Sequence, residues 1–394
     1  MSAGVVIAGG GLAGQRCAEA LRRGGYDGPV RIVCGEDAPP YDRPPLSKGA
    51  LAGTQEAAGL RLRDDRWYAE HDVELVLGRR AAGLDPAARR VQLAGGQELP
   101  YEHLVVATGA TPRSLPGLER HAGALALRDV GDALALRGRL APGARLVVVG
   151  GGFIGLEVAA TATALGAEVT VLEATGAPLS GPLGGAAGAR FAALHRRRGV
   201  RLETGVRIAR AIGTRTIRGV ALADGRRVPA DVLLVAVGAA PDTRWLAPAG
   251  LPPDGVPVDG GGRTGVPAVL AAGDAARPRD PRTGALRRSE HWDAAVRSGA
   301  AAARTILGLP EPPEVPAFFW SDQHGVRIQL VGEPHGADRT TTDGDPHSDA
   351  YATTYWRGDR PVAVLLVGRP HGLAGARRLI AGTTTHTDPE RQAA

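Results

Sequence analysis

Two glycine-rich runs stand where a backbone could hold a diphosphate. Gly9-Gly10-Gly11-Leu12-Ala13-Gly14 and Gly150-Gly151-Gly152-Phe153-Ile154-Gly155 both carry the G-x-G-x-x-G spacing. Each glycine has a separate task. Gly9 and Gly150 are placed for a tight turn. Gly11 and Gly152 let the backbone approach a pyrophosphate, and Gly14 and Gly155 allow close helix–strand packing. A helix starting at that point offers free N–H groups and the positive end of its dipole to the phosphates. A carboxylate lies beyond each run: Glu36 is 22 residues past Gly14, and Glu173 is 18 past Gly155. A carboxylate there can accept a hydrogen bond from a ribose 2′-hydroxyl. One such motif alone is a weak signal. Two in one chain, each in the same context, predict two dinucleotide sites.

The elements that must position these loops repeat as well. A short apolar strand, Gly4 to Ala8, leads into the first loop. A helical pattern runs to about Arg23, and a second strand covers Val30 to Cys34. The same grammar returns as a strand from Arg145 to Val149, a helix to about Leu165 and a strand from Glu168 to Leu172. Each copy is the start of a βαβ unit, so the fold class is α/β with two Rossmann-like dinucleotide-binding domains. Two such sites suggest a flavoprotein that meets a nicotinamide. One cofactor stays bound and the other delivers electrons.

Composition narrows the class further. The chain has 394 residues, 43% hydrophobic and 22% charged, a balance that fits a folded chain of two or three domains. No stretch approaches the ~20 apolar residues of a membrane helix, and no basic leader with an apolar h-region precedes Val5. Cys17 and Cys34 are the only cysteines. They can form neither a disulfide framework, a CxxC redox pair nor a four-ligand metal site, so no metal is expected and the cytoplasm is the default compartment. The net charge is +6, and its longest basic cluster is Arg196, Arg197, Arg198 and Arg201. That reads as a solvated helix end rather than a nucleic-acid stripe. A net positive protein does attract acidic partners. Lys48 is the single lysine among 47 basic residues, and the chain has no asparagine. A position that keeps an ammonium where every other cation is a guanidinium suggests a need for that shape of charge.

Several further segments carry a family resemblance. Tyr41-Asp42-Arg43-Pro44-Pro45-Leu46-Ser47-Lys48 and Phe319-Trp320-Ser321-Asp322-Gln323 are the most specific. Ala107-Thr108-Gly109-Ala110-Thr111-Pro112-Arg113, Ala271-Ala272-Gly273-Asp274 and Glu290-His291-Trp292 add to them. Together they resemble the FAD-dependent NAD(P)H ferredoxin reductases of bacterial oxygenase systems, over about residues 3 to 381.

The resemblance implies a three-part, pyridine nucleotide-disulfide oxidoreductase-like fold. A discontinuous FAD domain would take 1–112 and 241–313, an NAD domain 113–240 and a C-terminal α/β domain 314–394. The proline run at Pro310, Pro312, Pro313 and Pro316 independently reads as a linker, and the tail from Thr383 is expected to be disordered. Gly9, Gly11, Ala13, Gly14, Glu36, Arg43, Lys48, Arg113, Asp274, Trp292 and Trp320 are the FAD-binding candidates. Gly150, Gly152, Phe153, Ile154, Gly155, Glu173 and Gly238 are those for NAD(H). Lys48 and Glu157 are the catalytic pair, with Lys48 beside the flavin N5 edge and Glu157 facing it. The implied reaction takes hydride from NADH and passes single electrons to a [2Fe–2S] ferredoxin or similar small acidic redox protein, with neither nucleic acid nor membrane involved. Glu173, followed by Ala174-Thr175-Gly176 with no arginine, argues for NADH over NADPH.

Two departures from the family pattern stand out. Pro178-Leu179 is followed by Ser180-Gly181 rather than an arginine stretch, and Arg297-Ser298-Gly299 follows the Glu-His-Trp segment. Two other readings share the fold. One is an NADH oxidase or disulfide reductase, which needs a reactive cysteine near the flavin. The other is a redox-sensing flavoprotein resembling apoptosis-inducing factor.

Overall fold

In a computed structural model, the structure describes residues 3–118, 121–280, 284–313 and 315–384. The chain divides into two compact units. The first is Met1–Arg43, Ala57–Thr111 and Ala239–Pro313. The second is Pro44–Glu56, Pro112–Gly238 and Glu314–Ala394.

The first unit is built on a five-stranded parallel sheet. Its order is Val269–Ala271, His103–Val106, Val5–Ala8, Val30–Val33, Val73–Val76. The central strand Val5–Ala8 is apolar at every position because both of its faces are covered. The helix that follows the first glycine loop, Leu12–Arg23, buries Ala13, Cys17, Ala18 and Leu21 at helical spacing. Arg22 and Arg23 lie in its last turn, where a positive charge suits the dipole. A second helix, Trp292–Ile306, packs against it. Gly299 sets how closely they approach, since a Cβ there would lie 2.2 Å from the Ala13 carbonyl oxygen. That close contact accounts for the glycine of the Arg297-Ser298-Gly299 departure on packing grounds.

The second unit repeats the plan. Its parallel sheet runs Ala124–Leu125, Val232–Val235, Arg145–Val149, Glu168–Glu173, Arg201–Thr204. In both sheets the strand before the glycine loop is central and the next strand in sequence lies beside it. Each unit also carries a three-stranded antiparallel sheet: Ala81–Asp85, Arg90–Leu93 and Glu98–Pro100 in the first, and Ile208–Ile212, Gly219–Leu222 and Arg227–Pro229 in the second. The six strands and helices expected around the two loops are all present, within a residue or so of their expected bounds.

The C-terminal part of the second unit is a five-stranded antiparallel sheet. Its order is Phe318–Gln323, Val326–Gly332, Arg360–Val367, Tyr351–Arg357, Arg339–Asp343. The helix Leu373–Thr384 closes one face over Val331, Val364 and Leu366. It takes in Thr383, where the disordered tail was expected to begin; the remainder of that tail lies outside the described residues.

Packing adds two features to the sequence-based division of domains. Segments 112–238 and 314–394 cluster together in one unit, and Pro44–Glu56 clusters with them rather than with the chain on either side. The helix Phe153–Ala164 is the reason for both. It packs against the strand Glu168–Glu173 and against Phe318–Gln323. Its Thr161 hydroxyl donates to the Ser47 carbonyl at 2.7 Å.

Candidate functional site

The two glycine loops have the same local geometry. Gly9 and Gly150 have φ of +134° and +105°, a region open to glycine and closed to most side chains. A Cβ at Gly9 would lie 1.9 Å from the Ala107 carbonyl oxygen, and one at Gly150 would lie 2.4 Å from that of Ala236. At Gly14 and Gly155 a Cβ would lie 2.2 and 2.3 Å from the carbonyl oxygens of Gly9 and Gly150. These four glycines therefore serve the protein's own packing. Gly11 and Gly152 differ, because a Cβ at either meets nothing within 4 Å. Both are N-caps, and neither helix end has a side-chain cap. Open space in front of uncapped N–H groups is what a diphosphate requires. The residues present thus fit a dinucleotide at each loop.

In the first unit, Glu36 stands just past the second strand. It accepts from the Tyr41 hydroxyl at 2.5 Å and from Arg43 Nη2 at 2.7 Å. The Arg43 guanidinium also lies over the Tyr41 ring, 5.1 Å from its centroid. Arg43 is thereby fixed beside Glu36 and contributes to the same corner. Asp274 is in the turn Gly273–Ala275 at the end of the strand Val269–Ala271. Its neighbour Gly273 donates its N–H to Ser298 Oγ at 2.9 Å, and a Cβ at Gly273 would come 2.9 Å from Ala13 Cβ. Ala13 is thus a buried packing residue under that turn. Trp292 opens its helix and donates its indole N–H to Asp42 Oδ1 at 2.8 Å. Ser298 and Asp42 are site-shaping residues that the spacing of the motifs did not single out.

In the second unit, Glu173 turns back into its own loop. Its Oε2 accepts from the Gly151 N–H at 2.6 Å, and its Oε1 accepts from the Thr175 N–H and hydroxyl, both at 2.7 Å. A carboxylate has about four acceptor positions, so one remains for a ribose hydroxyl. The Thr175 hydroxyl also meets Ser180 Oγ at 3.1 Å, which is where the arginine stretch is replaced. Gly238, with φ of +91°, also faces open space at its missing Cβ, and its carbonyl accepts from the Arg113 N–H at 2.9 Å. Phe153 packs on Phe319, ring centroids 4.2 Å apart, whereas Ile154 is exposed.

The Lys48–Glu157 pair is formed. Lys48 Nζ lies 2.6 Å from Glu157 Oε2 and donates to the Pro44 carbonyl at 3.1 Å. Glu157 is 5% exposed. It also accepts from the Ser47 hydroxyl at 2.5 Å and from the Ser321 hydroxyl at 2.6 Å. A buried carboxylate with three donors is compensated charge. Ser47 and Ser321 were legible only as members of their segments. Side chains alternate along the strand Phe318–Gln323, so Trp320 takes the opposite face from Ser321. Trp320 stacks near Phe318, with ring centroids 6.0 Å apart.

The cysteines sit in the core of the first unit. Cys17 is fully buried and Cys34 is 2% exposed. Burial pushes both thiols up to about 12, the opposite of an activated thiolate. Cys34 has a packing role beneath the first loop, where a Cβ at Gly10 would come 2.4 Å from its Sγ. Among the described residues, no helix is long and apolar enough to cross a membrane, and no cluster of His, Cys, Asp and Glu could hold a metal ion.

The paired parallel sheets, each ending in an open glycine loop, define a protein that handles two dinucleotides. The chain belongs to the pyridine nucleotide-disulphide oxidoreductase family, whose model matches residues 3–299. A reductase C-terminal domain matches residues 318–393. The chain is 43% identical over 349 residues to the biphenyl dioxygenase system ferredoxin–NAD(+) reductase component of Paraburkholderia xenovorans, covering 87% of this chain and 84% of that protein. It superposes with a TM-score of 0.93 on the reductase of a covalent putidaredoxin reductase–putidaredoxin complex, at 32% identity over 97% of this chain and 94% of that one. The ferredoxin reductase for the CYP199A2 system of Rhodopseudomonas palustris gives a TM-score of 0.92 at 31% identity, with both chains fully covered.

Glu173 leads to a prediction on the nicotinamide. Three hydrogen bonds fix its carboxylate beside the loop. A 2′-phosphate would meet that charge, and like charges ~4 Å apart near a surface repel by about 4 kcal/mol. The kcat/KM with NADH should exceed that with NADPH by a factor of roughly 100 to 1,000. Glu173→Ala should narrow the ratio, and equal values for the wild-type protein would contradict this reading of Glu173.

Proposed function

We propose that this chain is an NADH-dependent ferredoxin reductase that binds FAD in its first unit and NADH in its second. Bound FAD supplies hydride acceptance from NADH and release of electrons one at a time. The chain's own residues do the rest. The first loop, Glu36 with Arg43, Asp274 and Trp292 hold and orient FAD. The second loop, Glu173 and Gly238 hold NADH, and Ile154 and Phe153 offer apolar surface to the nicotinamide. Lys48, held by Glu157, would present an ammonium at Nζ beside the flavin N5 edge, where its positive charge would favour the net negative charge of a reduced flavin. Trp320 and Arg113 complete the flavin contacts. The proposed domains follow this division: 1–112 and 241–313 for FAD, 113–240 for NAD, and 314–394 as the C-terminal domain.

The acceptor is a [2Fe–2S] ferredoxin or similar small acidic redox protein that serves an oxygenase, either a cytochrome P450 or a ring-hydroxylating dioxygenase. The chain's charge of +6 favours such a partner. The observation that carries the proposal is the pairing of two open glycine cradles with the Lys48–Glu157 ion pair. A thiol route is disfavoured because Cys17 and Cys34 are buried and their thiol pKa values are raised. Two buried free thiols suit a reducing compartment, and we place the protein in the cytoplasm.

The test mixes the purified protein with NADH, cytochrome c and a panel of ferredoxins. At least one [2Fe–2S] protein should raise cytochrome c reduction well above the background with oxygen alone. No acceleration by any of them would sink the reductase assignment. A stable, slowly reoxidised complex with NADH would favour the redox-sensor reading instead.

A further inference from the structure

Glu157 is the end of a longer buried chain. Its Oε1 accepts from Ser321 Oγ at 2.6 Å. Ser321 Oγ accepts from Gln323 Nε2 at 3.1 Å. Gln323 Oε1 lies 2.9 Å from His195 Nε2, and His195 Nδ1 lies 3.1 Å from His324 Nε2. Ser321, Gln323 and His195 are all 0% exposed. The first strand of the C-terminal sheet supplies Ser321 and Gln323, the turn after it supplies His324, and the helix Gly185–Arg197 supplies His195, so that together they form a buried polar line.

Chemistry fixes the direction of every link. An ionised carboxylate only accepts, so Ser321 donates to Glu157. The Ser321 oxygen then accepts, and the only atom of the Gln323 amide that can donate is its nitrogen. The amide oxygen is therefore turned to His195 and must accept a hydrogen bond from Nε2–H. Neutral His195 is left with a lone pair on Nδ1, and His324 donates into it from Nε2. One polarity satisfies all the buried groups, and it points toward Glu157. Bonds aligned head to tail polarise one another, so the far end is felt at the near end.

His324 is placed at some backbone expense. It and Gly325 have φ of +52° and +77°, the two positive angles of a tight hairpin turn between Phe318–Gln323 and Val326–Gly332. Glycine, asparagine or aspartate suits that turn better than histidine. The ring nevertheless sits edge-on to His195, centroids 4.6 Å apart. The titratable and charged groups about it are His195, Arg198 and Asp349, and Arg198 is paired to Asp349 at 2.5 Å. Burial first, then the His195 ring and the Arg198 guanidinium, hold the His324 imidazole well below its ordinary value, at about 4. Burial also lowers His195. Both rings are neutral at working pH, as the chain of donors requires.

We infer that Gln323, His195 and His324 are positioning residues that lock the Ser321 hydroxyl proton onto Glu157, and through it hold the carboxylate on Lys48. The chain does not carry protons, because the Gln323 amide interrupts any relay. It fixes one orientation of one hydroxyl at the ion pair. This inference rests on the role proposed for Lys48 and Glu157.

The test has two arms on the flavin-loaded protein. In the first, 15N NMR of imidazole-labelled wild-type protein reads the His195 tautomer, with His195→Gln used to assign the signal. The expected signature is a neutral ring protonated on Nε2 with Nδ1 as acceptor. The Nδ1–H tautomer would overturn the inference whatever the enzyme's activity. In the second, Ser321→Ala, Gln323→Leu and the double variant are compared by stopped-flow reduction with NADH. Each single change should slow flavin reduction by roughly tenfold with the NADH KM unchanged, the scale of one hydrogen bond to a charged group. The double variant should be no slower than either single one, because both remove the same hydroxyl–carboxylate bond. Multiplied losses, or wild-type rates in both single variants, would overturn it. If wild-type protein fails to react with NADH while His195 shows the expected tautomer, the proposed function falls and the buried chain stands.

Discussion

Gly11→Val should fold, lose its flavin and turn over no NADH. The reason lies in what a side chain would meet at each glycine of the first loop. At Gly9 a Cβ would strike the Ala107 carbonyl at 1.9 Å, in a backbone region that valine avoids. Gly9→Val therefore damages the fold itself. At Gly11 nothing lies within 4 Å, so the flavin-free protein has room for valine. That room is where the phosphates must approach the uncapped helix end. The purified variant should be colourless, with a thermal midpoint equal to that of flavin-stripped wild type. FAD affinity should fall by at least about a thousandfold, or ~4 kcal/mol. Gly152→Val is the matching control. It should keep its yellow colour and lose NADH reduction, since its glycine faces equally open space at the second loop. Loss of colour in Gly152→Val but not in Gly11→Val would reverse the assignment of the two loops.

Lys48→Met should leave flavin content and NADH binding near wild type and slow flavin reduction by about a hundredfold. Removing one preorganised donor aimed at developing charge typically has an effect of that size. Methionine approximates the length of the lysine stem and removes the ammonium, with its charge and its hydrogen bond to the Pro44 carbonyl. Glu157 keeps its hydroxyl donors, Ser47 at 2.5 Å and Ser321 at 2.6 Å. The loss of stability should then be smaller than the ~3–5 kcal/mol seen when a buried charge is left with no partner. Lys48→Arg is the stricter test. A planar guanidinium cannot place a single point charge as an ammonium does, and this chain uses arginine at every other basic position. Arginine should recover only a small part of the rate. Full activity in Lys48→Arg would mean that the lone lysine reflects codon usage and nothing more. Stopped-flow reduction with saturating NADH separates these outcomes from effects on binding.

Much of this was legible in the sequence because it is local. A glycine loop between a strand and a helix is specified by neighbours within about twenty residues, so both βαβ starts could be placed closely. Of the six glycines at the G-x-G-x-x-G positions, Gly9, Gly14, Gly150 and Gly155 lie against the protein's own backbone, and Gly11 and Gly152 face open space. What could not be read was long-range. Pro44–Glu56 joins the second unit through the contact of Ser47 with Thr161 and of Lys48 with Glu157. Such contacts between residues more than a hundred positions apart leave no periodic signal. His195, 128 positions from its partner Gln323, is read from the sequence only as one more residue of a basic helix end, and Ser298, which ties the Asp274 turn to its neighbouring helix across 25 positions, likewise leaves no periodic signal. The Arg297-Ser298-Gly299 departure shows the limit from the other side. It stood out against the family pattern, and helix packing at Ala13 accounts for its glycine.

The most direct measurement is an anaerobic titration of the flavin-loaded protein, first with NADH and then with an oxidised [2Fe–2S] ferredoxin. One equivalent of NADH should bleach the oxidised flavin band, and two equivalents of the one-electron acceptor should restore it. A flavin that stays oxidised in excess NADH, or a reduced one that no iron–sulfur protein can reoxidise, would contradict the account.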